Sequence, residues 1–152
     1  MSVAIIDGTL PRAAHRERRG NEQEQVMGRI LIVDDERRIL QLLGDCFKHD
    51  YTVETAMNGG EALAIIQRQR PDIVLLDIML PGVSGIHLLK EIKRIDPTIA
   101  VIMVTGNDNV ALEAAALESG AVNVVRKPFD LQYLDRLVAE IVPKASGEAR
   151  PG

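Results

Sequence analysis

Short strand-like segments at residues 29–33, 51–56, 73–76, 99–104 and 122–125 alternate with stretches of helical periodicity, and this alternation limits the chain to few folds. Most of these segments are unbroken Val, Ile and Leu, the pattern of strands buried on both faces. The segment 51–56 instead alternates polar with apolar residues, as an edge strand does. Between them, residues 36–49 place Ile39, Leu40, Leu43, Cys46 and Phe47 on one helical face. Residues 60–68, 86–95, 110–118 and 131–142 read as four further helices, the one over 86–95 ending before Pro97. Strands that alternate with helices form βαβ units around a parallel sheet, and right-handed crossovers place helices on both of its sides. The expected architecture is a five-stranded doubly wound α/β domain over residues 28–142, with no internal repeat.

Composition narrows the partners and the core. Aromatic residues make up 3% of the chain and Trp is absent, so an aliphatic core is expected. A net charge of −4 gives no case for direct nucleic-acid binding, which needs a clustered basic face. The lone Cys46 cannot form an internal disulfide and reads as a buried structural thiol. No apolar run is long enough to span a bilayer, the N-terminus lacks a secretory layout, and a cytoplasmic location is expected. Residues 12–25 are dense in Arg, Glu, Gln and Asn, so residues 1–27 read as a flexible arm. Met27-Gly28 directly precedes the first strand, which makes Met27 a candidate for the true start. Residues 143–152 read as a C-terminal tail.

In open α/β sheets, ligands bind beyond the carboxyl ends of the strands. Asp34 and Asp35 follow the first strand and Asp77 ends the third. Were those strands neighbours, all three acids would share one pocket, and clustered carboxylates raise one another's pKa and call for a cation. An all-oxygen set without His or Cys suits Mg²⁺ or Ca²⁺ rather than Zn²⁺, and an ion that keeps several waters on few carboxylates is Mg²⁺. The fourth strand ends at Thr105 and the fifth at Lys127. A carboxylate nucleophile, a metal site, a cation and a hydroxyl donor are the parts phosphoryl transfer needs. Helix capping would explain one of Asp34 and Asp35, but not both together with Asp77. Pro81-Gly82, Gly85 and Gly59-Gly60 read as turn and helix-start punctuation without chemistry.

Taken in order, Asp34-Asp35, Asp77, Thr105 and Lys127-Pro128 resemble the signature of bacterial response-regulator receiver domains. The resemblance extends to Asp77 through Gly85, to Asn58-Gly59-Gly60-Glu61-Ala62-Leu63 and to Gly120-Ala121, and covers residues 28 to about 142. It implies a flavodoxin-like sheet of strand order 2-1-3-4-5 and a stand-alone two-component regulator. By that resemblance Asp77 is the phosphoacceptor, and Asp34, Asp35, Asp77 and the backbone carbonyl of Met79 hold Mg²⁺. Lys127 contacts the phosphoryl group, Thr105 swings in to hydrogen-bond it, and the Lys127–Pro128 peptide is cis.

The implied donor is a phosphohistidine on a sensor histidine kinase or phosphotransfer protein. Output runs to an unidentified protein partner or through phosphorylation-dependent homodimerisation, by a face of the fourth helix, fifth strand and fifth helix. The chain is then a switch rather than an enzyme, although it assists its own phosphorylation and dephosphorylation. The family commonly carries an aromatic three residues before the lysine, and here that position is Val124. Met79 and Asn107 hold the positions that tune the lifetime of the aspartyl phosphate, and neither is an acid, so the expected lifetime is not exceptionally short. The alternative from another class is a Mg²⁺-dependent phosphohydrolase with an aspartyl-phosphate intermediate. It would need an acid two residues after the nucleophile, where Met79 stands.

Overall fold

The computed structural model describes residues 27–106 and 108–145, so residues 1–26 of the expected arm, most of the C-terminal tail and Asn107 lie outside the described residues. In chain order the elements are β1 (Arg29–Val33), α1 (Arg37–Phe47), β2 (Thr52–Ala56), α2 (Gly59–Arg68), β3 (Ile73–Asp77), β4 (Met79–Leu80), β5 (Val83–Ser84), α3 (Gly85–Ile95), β6 (Ala100–Thr105), α4 (Val110–Glu118), β7 (Asn123–Arg126) and α5 (Leu131–Ile141). Five parallel strands form one sheet in the order β2-β1-β3-β6-β7. Counting only these strands along the chain, the order is the expected 2-1-3-4-5.

Side-chain alternation sorts each strand's residues between two layers. Ile30 and Ile32 of β1, with Ile73 and Leu75 of β3, pack under α1 and α5 beside Leu43, Phe47, Leu134 and Val138. Leu31, Val33, Val74 and Leu76 point the other way, onto Ala62 and Ile66 of α2 and Leu88, Leu89 and Ile92 of α3. Burial on both faces explains why β3 reads IVLLD without a polar break before its last residue. The edge strand β2 stays half exposed.

The core is aliphatic on the α2–α4 side, as composition suggests. On the other side Phe47 and Tyr51 are fully buried and meet edge to face, with ring centroids 6.0 Å apart. The Tyr51 hydroxyl donates to the Val142 carbonyl at 2.7 Å, which pins the end of α5 to the start of β2. Cys46 packs against this layer but is only half-buried, because it falls on the flank of the α1 stripe formed by Leu40, Leu43 and Phe47.

Caps set the helix starts. The Asn58 side chain accepts from the Glu61 N–H at 2.9 Å while the Glu61 carboxylate accepts from the Met57 N–H at 2.8 Å, a reciprocal arrangement close to a capping box. Ser84, Asn109 and Asp130 cap α3, α4 and α5 in the same sense. Pro81-Gly82 does make a turn, with Gly82 at φ +83°, but it also closes a small antiparallel β4–β5 ribbon that periodicity did not announce. Strands of two residues are too short to leave a periodic signal.

Candidate functional site

The chain leaves β1 toward β2 on one side and later places β3 on the other, so a crevice opens at the carboxyl ends of β1 and β3. Asp34 follows β1, and Val33 is level with Leu76, so Asp34 and Asp77 sit side by side. On the far side of β3, β6 ends in Thr105, whose partner across the strands is Arg126, and Lys127 follows at once. Four strand ends thus bring all the acids, the hydroxyl and the ammonium to one sheet edge.

Burial distinguishes this cluster from ordinary surface charge. Asp34, Asp77 and Thr105 are 2%, 4% and 1% exposed, and they are the buried polar residues among the described ones. Asp35 is exposed at the rim. One carboxylate oxygen from each of Asp34, Asp35 and Asp77 can be chosen so that all lie within 4.8 Å of one another. Three acids this close repel strongly unless a cation joins them. The set is all oxygen and partly buried, which fits a hard divalent ion.

Lys127 supplies part of the missing charge. Its Nζ donates to Asp34 Oδ2 at 2.9 Å and lies 3.5 Å from Asp77 Oδ2. The remaining oxygens are held by the main chain: Asp34 Oδ1 accepts from the Glu36 N–H at 2.8 Å, and Asp77 Oδ1 from the Met79 N–H at 3.0 Å. Asp34 therefore forms an Asx turn leading into α1, whose N-cap residue Glu36 makes no side-chain cap, so helix capping does not account for Asp34.

Burial pushes the Asp77 carboxyl up from its ordinary pKa, and the Asp34 charge adds to this, while the Met79 N–H and the Lys127 charge pull it down without cancelling the rise. For Lys127, burial is the largest influence and favours the neutral amine. The Asp34 hydrogen bond and the charges of Asp77, Asp34 and Glu36 together outweigh it and hold the ammonium above its usual value. The Lys127–Pro128 peptide is cis, as the resemblance implied.

Two residues at the site were given no part in it by sequence reasoning. Glu36 places Oε1 3.5 Å from Lys127 Nζ. Its place directly after two acids was the available signal, but it reads equally well as a helix start. Gly85 opens α3 directly behind the phosphoacceptor candidate, and its N–H donates to the Ile78 carbonyl at 2.8 Å. A Cβ there would stand 2.5 Å from the Asp77 carbonyl oxygen and 2.6 Å from the Ile78 Cα. Only packing reveals this, because a glycine after Ser84 looks like punctuation. Gly85→Ala is expected to destabilise the fold by about 1–3 kcal/mol, since backbone must move to admit the methyl group. Urea denaturation measures this, and an unchanged midpoint would show that the segment yields freely.

Fold and site together define a doubly wound α/β domain with a cation-competent acid cluster at its switch point. The chain belongs to the response regulator receiver domain family of two-component signalling: the model of that family matches residues 30–139. It is similar to Sporulation initiation phosphotransferase F of Bacillus subtilis, 40% identical over 119 residues that make up 78% of this chain and 96% of that protein. It is also similar to the response regulator MprA of a Mycobacterium species, 32% identical over 124 residues that cover 81% of this chain and 54% of that protein. The chain thus spans about half the length of MprA. Among solved structures, a CheY-like receiver domain protein from Methanospirillum hungatei superposes with a TM-score of 0.73 at 34% identity, covering 75% of this chain and 92% of that one. The BeF3-activated DrrB receiver domain gives a TM-score of 0.72 at 30% identity, covering 76% and 97%. No helix among the described residues is long and apolar enough to cross a membrane.

Proposed function

We propose that this domain accepts a phosphoryl group on Asp77 from a phosphohistidine of a sensor histidine kinase or phosphotransfer protein. The observation that carries the reading is the burial of Asp34, Asp77 and Thr105 at one sheet edge with the Lys127 ammonium between the two acids. An ionised Asp77 oxygen attacks phosphorus, the O–P bond forms and the N–P bond breaks. The departing imidazole nitrogen keeps the electron pair, and because the other ring nitrogen of the phosphohistidine already carries a proton, the ring leaves as neutral imidazole. Asp34, Asp35, Asp77 and the Met79 carbonyl are the proposed holders of Mg²⁺, which when bound neutralises charge on the equatorial phosphoryl oxygens.

Lys127 then pairs with a phosphoryl oxygen in place of Asp77, and the Thr105 hydroxyl donates to another. New charge at the strand ends biases the face of α4, β7 and α5 toward a protein partner or a second copy. The phosphohydrolase alternative gains no support, because Met79, two residues after Asp77, is an exposed side chain with no proton to give a leaving alkoxide.

The test is intact mass after incubation with acetyl phosphate. One phosphoryl adduct is expected with Mg²⁺ present and none after chelation. An adduct formed equally well in a chelator would remove the metal from the reading. No adduct with this donor or with a phosphorylated phosphotransfer protein would remove the phosphoacceptor itself.

A further inference from the structure

Alternate residues of β7 face opposite layers. Val125 is buried on the α1–α5 side, while Val124 packs against the α2–α4 side. Arg126, two residues on from Val124, shares the α4 side, and its Nε donates to Glu113 Oε2 in the first turn of α4 at 2.6 Å. The backbone of Arg126 is placed between the parts of the site. Arg126 is the cross-strand partner of Thr105, and the N–H of the next residue, Lys127, donates to the Thr105 carbonyl at 2.7 Å. Val124, by contrast, has no polar group with which to sense the site.

α4 is lightly held. It buries one residue, Ala116, where α3 buries four. Its sequence, VALEAAALE, is apolar on nearly all sides and offers no single stripe for the core. An exposed ion pair is a modest interaction. On a helix this weakly anchored, it is a substantial part of the restraint.

We propose that the Arg126–Glu113 ion pair is the link that ties α4 to the site and is released on phosphorylation; the proposal rests on the phosphoacceptor reading of Asp77. When Lys127 and Thr105 turn toward the phosphoryl group, the intervening end of β7 shifts with them. The guanidinium leaves its short contact with Glu113, and α4 opens more often. Arg126 and Glu113 are thus positioning residues for the output helix and touch no reacting atom.

The experiment is amide hydrogen exchange of residues 110–118 in the full chain, with and without beryllofluoride and Mg²⁺ as a phosphoryl mimic. The proteins compared are wild type, Arg126→Gln, Glu113→Gln, the double variant, and the charge swap Arg126→Glu with Glu113→Arg. Without the mimic, each single change is expected to speed α4 exchange about threefold, the double to add nothing further, and the swap to restore slow exchange. With the mimic, all five proteins are expected to exchange alike. Additive single effects, or no effect, would overturn the link. A difference that persists with the mimic would make the pair a static brace and overturn its release. Intact mass with acetyl phosphate on the same samples separates the two failures: an adduct without the α4 pattern sinks this proposal alone, whereas no adduct in wild type sinks the phosphoacceptor reading and the link with it.

Discussion

Asp77→Asn is expected to abolish the phosphoryl adduct and, in the absence of divalent cations, to make the domain more stable. The amide is isosteric with the carboxylate, so the fold around it need not change. Its oxygen is a poor nucleophile because the nitrogen lone pair is delocalised into the carbonyl, so phosphorus finds no attacking group. Retention of the adduct in this variant would place the nucleophile elsewhere. The stability gain follows from the burial of Asp77 and the nearby Asp34 charge, which raise its carboxyl pKa in the folded state.

A raised carboxyl pKa means the folded protein holds more protons than the unfolded chain between the ordinary aspartate value and the raised one. Stability from this group therefore falls as pH rises through that window, and the penalty is fully present above the folded value. Asn resembles the protonated acid at every pH. The stability advantage of the variant should thus be absent below the ordinary aspartate pKa, grow through the window and level off above it. Urea midpoints of the two proteins across that range measure it. An advantage independent of pH would mean that packing, not charge, is the cause.

Lys127→Met is expected to lower the rate of phosphoryl transfer by about 10²–10³-fold, the usual effect of removing one preorganised charge from a developing phosphoryl group. The side chain keeps its length and apolar stem, but Asp34 and Asp77 lose their shared counter-charge. Their side chains are 3% and 6% exposed, and that of Lys127 is 18% exposed. A loss of about 1–3 kcal/mol at neutral pH is expected, below the roughly 3–5 of a fully buried pair because water reaches the lysine and Asp77 can protonate. Saturating Mg²⁺ should recover much of that stability, since a divalent ion binds the folded acid cluster and not the unfolded chain. It should not recover the rate, which depends on an ammonium placed against the phosphoryl oxygens. Equal rates in variant and wild type would show that Lys127 is a structural counter-ion only.

The site was legible because its residues stand where strand signals stop. Asp34, Asp77 and Thr105 each close an apolar run and Lys127 follows one after Arg126, at the carboxyl ends of the strands where parallel sheets bind ligands. Glu36 and Gly85 were not legible in the same way. Glu36 acts through a side chain that turns back toward β7 rather than capping its own helix. Gly85 matters for the space its missing Cβ leaves beside Asp77 and Ile78. Neither property leaves a periodic trace along the chain. Phe47 was placed on the apolar face of its helix, but its edge-to-face contact with a buried Tyr51 was not foreseen, since Tyr51 stands at the head of an edge-like segment.

Apart from the β4–β5 ribbon, local sequence by itself determined the element types and most of their limits, because hydrophobic period, capping side chains and turn residues act over a few positions. It also determined that the sheet would be parallel and covered on both sides. Tertiary structure alone decided that Lys127 meets an acid 93 residues away and another 50 away. It also decided that Arg126 reaches Glu113 across the gap between β7 and α4. Strand order depends on which side of the sheet each crossover takes. That choice is made by the burial of whole helices against a shared surface, a property of the assembled domain that no short stretch of chain contains.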